Sequence, residues 1–285
     1  MKILITGSNG QLGCEIRELS VAYPLYEFLL TDINELDITD AASVNQFFAV
    51  YNPDAIINCA AYTAVDKAET DEETAYLINA AAPGNLARAA AECGAFMVHI
   101  STDYVYDGHN FRPYIETDKI NPVSVYGKSK AAGEEAVHQA KGKALIIRTS
   151  WLYSAFGNNF IKTILKYGIE RDMMNIVFDQ TGTPTYARDL AKAILDILPL
   201  AMSAGEIEVY HYSNEGVTSW YDFAKTIVEI SGIRCRINAI GTKDYPLPAV
   251  RPFYSVLDKS KIKKKFQIEI PYWRDSVKLC IQRLR

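Results

Sequence analysis

The sequence predicts an α/β fold, a doubly wound parallel sheet joined to a smaller mixed α/β domain. Short apolar runs alternate with helically spaced segments through the first half of the chain. The first of those runs ends in a glycine turn that opens a helix. After Tyr153 the alternation becomes irregular, yet no linker, repeat or low-complexity segment separates the two parts.

Lys2-Ile3-Leu4-Ile5-Thr6 reads as a first strand, and Gly7-Ser8-Asn9-Gly10-Gln11-Leu12-Gly13 leads from it into a helix carrying Leu12, Ile16 and Leu19 on one face. Gly7 suits a tight turn, Gly10 a close backbone approach and Gly13 tight helix packing, while the helix N-terminus favours an anion such as a pyrophosphate. The spacing is G-x-x-G-x-x-G, not the commoner G-x-G-x-x-G. Glu27 to Asp32 reads as a second strand whose terminal acid lies about 20 residues past the loop, where a carboxylate accepts both adenosine ribose hydroxyls. No Arg or Lys follows in Ile33 to Asp37, so NADH is expected over NADPH. Asp37 and Ile38 offer the adenine a polar and an apolar contact.

Asp54 to Ala61 is a third buried strand, and Ala61, Tyr62 and Thr63 sit where a cofactor would cross the strand ends. Asp71 to Gly94 reads as one or two helices, with Pro83 at a new start and Gly94 past an end; Asn79 either faces the site or satisfies backbone. The fourth strand, Ala95 to Ile100, delivers Ser101-Thr102-Asp103-Tyr104 at its carboxyl end, the edge where open parallel sheets bind ligands. Next come a helix from about Val123, a helix over Asn159 to Tyr167, a strand over Asn175 to Asp179 and a helix over Tyr186 to Leu198. Glu208 to Ser213 reads as a strand, and Thr218 as the cap of a helix over Ser219 to Ile230. Tyr245 to Pro252 is a proline-stiffened loop presenting Arg251.

At 285 residues, 49% apolar and 22% charged, the chain can bury a sizeable core, and no apolar run reaches the ~20 residues of a membrane span. Met1-Lys2-Ile3-Leu4-Ile5 runs straight into the glycine loop with no room for a signal peptide, and the expected location is the cytoplasm. Five scattered cysteines read as reduced thiols, and the four histidines lack metal-ligand spacing, so no metal site is expected. A net charge of -4 argues against a nucleic-acid partner.

Tyr126 and Lys130 stand four apart, one helical turn, so that a phenol and an ammonium share a face. A nearby cation would bring a phenol of ordinary pKa ~10 toward the working range of a proton carrier. Hydroxyls at the fourth strand end together with this Tyr-x-x-x-Lys resemble the extended short-chain dehydrogenase/reductase family, in its nucleotide-sugar branch. Thr63 to Glu69, Arg148 to Tyr153, Asn158 to Phe160 and Asp179 to Thr185 extend the resemblance along nearly the whole chain.

The resemblance implies hydride transfer from NADH or NADPH to the C4 ketone of a dTDP-linked 4-keto-6-deoxyhexose. It makes Tyr126 the proton donor, Thr102 a hydrogen-bond partner of the ketone oxygen, and Lys130 both a holder of the nicotinamide ribose and a depressant of the Tyr126 pKa. Asp103 and Trp151 carry over as sugar contacts, and the Arg251 loop falls near the diphosphate. Residues 1–150 would form a dinucleotide-binding Rossmann domain with a return around 174–212, and 151–173 and 213–285 the substrate domain. An epimerase or 4,6-dehydratase shares these motifs, although dehydratases carry a glutamate where Tyr104 stands. A regulatory subunit resembling the methionine adenosyltransferase beta subunit is a further alternative, and the oligomeric state stays open, a homodimer included.

Overall fold

The computed structural model describes residues 1–203 and 205–284. In chain order the first part comprises β1 (Lys2–Thr6), α1 (Gln11–Leu19), β2 (Glu27–Leu30), α2 (Ala41–Tyr51), β3 (Ala55–Asn58), α3 (Val65–Ala68), α4 (Glu72–Tyr76), α5 (Ala82–Cys93), β4 (Phe96–Thr102), α6 (Val125–Gln139) and β5 (Lys143–Thr149). The remainder adds β6 (Leu152–Tyr153), α7 (Phe160–Glu170), β7 (Met173–Val177), β8 (Thr181–Gly182), β9 (Thr185–Tyr186), α8 (Ala187–Met202), β10 (Glu208–His211), β11 (Thr218–Ser219), α9 (Trp220–Ser231), β12 (Arg236–Ile240), α10 (Ser260–Phe266) and α11 (Trp273–Arg283).

Six parallel strands form the central sheet in the order β10-β5-β4-β3-β1-β2. Side chains alternate between its faces, and both faces are covered: Ile3, Ile5, Ile57, Val98 and Ile147 pack on one side with α1 and α8 residues, Leu4, Ile56, Met97 and Ile146 on the other with α2, α5 and α6 residues. Each such fully buried side chain contributes about 1.5–3 kcal/mol. The winding reverses between β1 and β3, which opens a crevice at their carboxyl ends. Gly13 lets α1 start close against that crevice, because a Cβ there would lie 2.4 Å from the Gly7 carbonyl oxygen.

A separate core joins Ile161, Ile164, Met174, Phe223, Ile237 and Trp273. Two strands in the 174–212 region part company: β7 pairs in parallel with β12 beside this second core, whereas β10 joins the central sheet against β5. Two local readings are corrected. Ser219, not Thr218, caps α9, its hydroxyl accepting from the Asp222 N–H at 3.0 Å. The α8 helix runs through Pro199 to Met202, since a proline near a helix end removes only one ladder bond.

Candidate active site

Three of the elements deliver hydroxyls, a cation and a carboxyl to one sheet edge. Ser124 caps α6 by accepting from the Gly127 N–H at 3.1 Å. Gly127 then allows α6 to approach the turn after β4, for a Cβ there would sit 2.3 Å from the Tyr104 carbonyl oxygen. That approach sets the Tyr126 phenol beside Thr102, close enough for the hydroxyl to influence its ionisation. Tyr104 meets the Tyr126 ring edge-on, centroids 5.3 Å apart. Thr102 also donates to Asp103 Oδ1 at 3.0 Å, while Asp103 Oδ2 is buried without a hydrogen-bond partner. One turn beyond Tyr126, the buried Lys130 ammonium donates to the Ile100 carbonyl at 2.7 Å. Behind it, Glu134 accepts from Arg148 at 2.6 Å and from Ser101, fastening α6 to β5 and β4.

The electrostatics differ from the expectation in one respect. Burial pushes the Tyr126 phenol up to about 12, with the Asp103 charge acting the same way and the Thr102 hydroxyl acting against it. Burial also lowers Lys130 to about 8, opposed by Glu134. In the ligand-free chain burial sets the phenol, while the Lys130 ammonium is engaged with the Ile100 carbonyl. Desolvation raises Asp103 as well, to about 7.

The crevice between β1 and β3 is a cleft of about 530 Å3 bordered by Gly7, Gly10, Asp32, Asp37, Ile38 and Ala61. Gly10 gives α1 no side-chain cap, so N–H groups of its first turn have no intrahelical acceptor and suit a phosphate. Leu12 is core and offers only its backbone N–H, while the Gln11 side-chain oxygen accepts from Asn159 at 3.0 Å. Asp32 fixes the loop by accepting from Asn9 N–H at 3.0 Å, and Asp37 accepts from Thr39. Tyr62 and Thr63 do not line the cleft. Asn79 holds the Tyr62 backbone through both its N–H and C=O, and the Tyr62 phenol donates to Asp71. Asn79 sits in a π-helical stretch, Leu77–Ala81, where Pro83 has no N–H for the Asn79 carbonyl and the ladder widens. Leu77 and Ile78 of that stretch border the cleft, which the sequence reading missed.

Trp151 and Arg251 stand at a second cavity or its wall. Trp151 takes φ +47°, a strained conformation for a bulky side chain, and stacks on Trp220 with centroids 3.7 Å apart. Trp220, Phe160, Tyr167, Tyr104, Arg171 and Arg251 line a cavity of about 580 Å3. Nothing local in the sequence singles out Trp220, whose role depends on packing across the second core, and Phe160 enters only as part of the Asn158 to Phe160 stretch of the resemblance. Among the described residues no group of three or more His, Cys, Asp or Glu is placed to hold a metal ion, and no helix is long and apolar enough to cross a membrane.

A dinucleotide-type cleft at a sheet switch point, with Thr102, Tyr126 and Lys130 at the adjoining strand end, defines a nicotinamide-dependent oxidoreductase of the extended short-chain type. Residues 1–285 match the family model described as RmlD substrate binding domain. A Burkholderia thailandensis protein named dTDP-4-dehydrorhamnose reductase is 43% identical over 100% of this chain and 99% of its own. Crystal structures of dTDP-4-dehydrorhamnose reductases from Clostridium acetobutylicum (TM-score 0.95, 44% identity, covering 100% of this chain and 99% of that one) and from Bacillus anthracis in complex with NADP (0.93, 37%, 99% and 98%) share the fold. The chain belongs to the dTDP-4-dehydrorhamnose reductase family.

Proposed function

We propose that this chain reduces the C4 ketone of dTDP-4-dehydro-β-L-rhamnose to dTDP-β-L-rhamnose with Tyr126 as proton donor. The observation that carries it is the Tyr126 phenol beside Thr102, with the buried Lys130 one turn on, at the end of the strand next to the one that borders the dinucleotide cleft. The cofactor supplies hydride. Tyr126, at about 12, holds its proton through the neutral range and gives it to the oxygen as negative charge develops there. Thr102 orients that oxygen, and the Lys130 cation binds the ribose hydroxyls. Asp103 and Trp151 contact the sugar, and the aromatic cavity with Arg251 receives the nucleotide diphosphate. Gly7, Gly10 and the first turn of α1 hold the pyrophosphate, with Asp32 on the adenosine ribose. The cofactor lobe is residues 1–150 with α8, β10 and α10 returned to it, and the elements around the second core form the substrate lobe.

NADH is the preferred cofactor, supported by Asp32 and Asp37 in the cleft and the absence of a basic side chain from its lining among the described residues. The Bacillus anthracis relative was solved with NADP, so paired titrations with NADH and NADPH decide the preference; equal or reversed affinities refute it. Five unpaired cysteines support a cytoplasmic location. The test of the function is NADH oxidation with dTDP-4-keto-6-deoxyhexose epimers and NMR of the product. Stoichiometric loss of absorbance and an L-rhamno product are expected, and isomerisation without NADH loss would overturn the assignment.

A further inference from the structure

We propose that Asp66 is a positioning residue that sets Arg251 and the loop at 245–252 to receive an anionic group of the substrate. The inference rests on the dTDP-sugar reading above. One carboxylate grips the loop twice: Arg251 Nη2 donates to Asp66 Oδ2 at 2.6 Å, and the Ala249 N–H donates to Asp66 Oδ1 at 3.2 Å. Elsewhere the loop is held by the Tyr245 N–H on the Thr242 carbonyl and by the buried Ala249 and Pro252. Its three prolines, Pro246, Pro248 and Pro252, have no N–H to donate, and Tyr245 and Val250 are more than half exposed, at 53% and 59%.

The guanidinium also has a donor to spare. Arg251 Nη1 is buried and has no hydrogen-bond partner, although the side chain borders the 580 Å3 cavity. Because a guanidinium is a rigid planar fork, fixing Nη2 on Asp66 fixes where Nη1 points. A buried cationic donor without an acceptor calls for an anionic oxygen, and a nucleoside diphosphate supplies several. The anchor is itself firm, since Asp66 lies on α3, which follows the Tyr62 backbone clamped by Asn79. The same guanidinium charge acts on the Tyr104 phenol, whose ring abuts Tyr126. Asp66 thereby ties the loop that meets the nucleotide to the lobe that carries out proton transfer.

The experiment is calorimetric titration of the full chain with dTDP, comparing wild type, Asp66→Asn, Arg251→Gln and the double variant, with steady-state kinetics alongside. Losing one preorganised charge-assisted hydrogen bond weakens dTDP binding about tenfold in Asp66→Asn. The expected kinetics are a KM raised by about the same factor, kcat within about twofold and an unaltered NADH affinity. Amides of 245–252 should exchange faster, the double variant should bind no more weakly than Arg251→Gln alone, and Asp66→Glu, which keeps the charge, should recover most of the affinity. Equal dTDP binding by wild type and Asp66→Asn, or full additivity in the double variant, overturns the proposal. A wild-type chain that binds no dTDP overturns the functional reading and this inference with it.

Discussion

Lys130→Met should make the ligand-free protein more stable while abolishing its catalysis. Lys130 is 2% exposed, and burial brings its ammonium from an ordinary 10.5 down to about 8. At pH 7 the folded state therefore carries a charge that costs it about 3 kcal/mol relative to the unfolded chain. Methionine fills similar volume without charge, but forfeits the hydrogen bond to the Ile100 carbonyl, worth about 1 kcal/mol. A net gain of about 2 kcal/mol remains. The sign follows from proton counting: between about 8 and 10.5 the unfolded chain holds the Lys130 proton and the folded chain has released it, so wild-type stability rises with pH there. The variant has no such group, and its advantage should be full below about pH 8 and gone by about pH 10. Urea denaturation of both proteins at pH 7 and pH 10, without cofactor, measures this. A variant less stable than wild type at pH 7, or an advantage that does not shrink at high pH, would refute the reasoning.

The other predictions concern the phenol, the cofactor grip and the loop. Tyr126→Phe should lose about 10²–10⁴-fold in ketone reduction and bind NADH normally, because only the proton donor is removed; retained turnover in an NADH-oxidation assay would sink the assignment. NADH affinity should fall as pH rises through about 8, where Lys130 loses its charge, and fluorescence titration across pH 6–10 would show a flat profile if Lys130 plays no part in holding the cofactor. Gly13→Ala places a methyl 2.4 Å from the Gly7 carbonyl oxygen and 2.5 Å from Ser8 Cα. It should destabilise the protein by about 1–3 kcal/mol and weaken NADH binding, and an unchanged melting temperature with unchanged NADH affinity would contradict this account of the loop.

What was legible in the sequence was local. The β1–glycine loop–α1 unit announces itself because its apolar run, turn residues and helical spacing lie within twenty residues, and the Tyr126–Lys130 spacing needs only one helical turn. Long-range pairing was another matter. Nothing in Met173 to Val177 says that its partner is Arg236 to Ile240 and not the central sheet. Tyr62 and Thr63 were placed at the cleft from their position at a strand end, yet the Asn79 clamp on the Tyr62 backbone depends on a widened helix seventeen residues on. Charge was the least legible quantity. The identities of Tyr126 and Lys130 suggest depression of the phenol, whereas its burial, a property of the whole fold, moves it the other way.

That reversal suits a reductase. A proton donor must be protonated at rest, and a phenol at about 12 is protonated at any neutral pH, whereas one drawn down toward 7 would have lost half its protons before the substrate arrived. The charge that burial disfavours is the phenolate left after donation, so the site must stabilise that species, not the resting one. Two groups can do so from the observed geometry. Thr102, beside the phenol, can do so by turning its hydroxyl proton from Asp103 Oδ1 to the phenolate, and Lys130, one turn away, is held by a single carbonyl that lies in the same strand end. Keeping the ammonium on Ile100 leaves the resting phenol protonated, and its release toward Tyr126 as the ribose hydroxyls and the developing phenolate compete for it would place the positive charge where and when negative charge appears. On the proposed mechanism Lys130 would then be needed for the end of the proton transfer more than for its beginning, which would give its burial beside Tyr126, costly to the fold, a use.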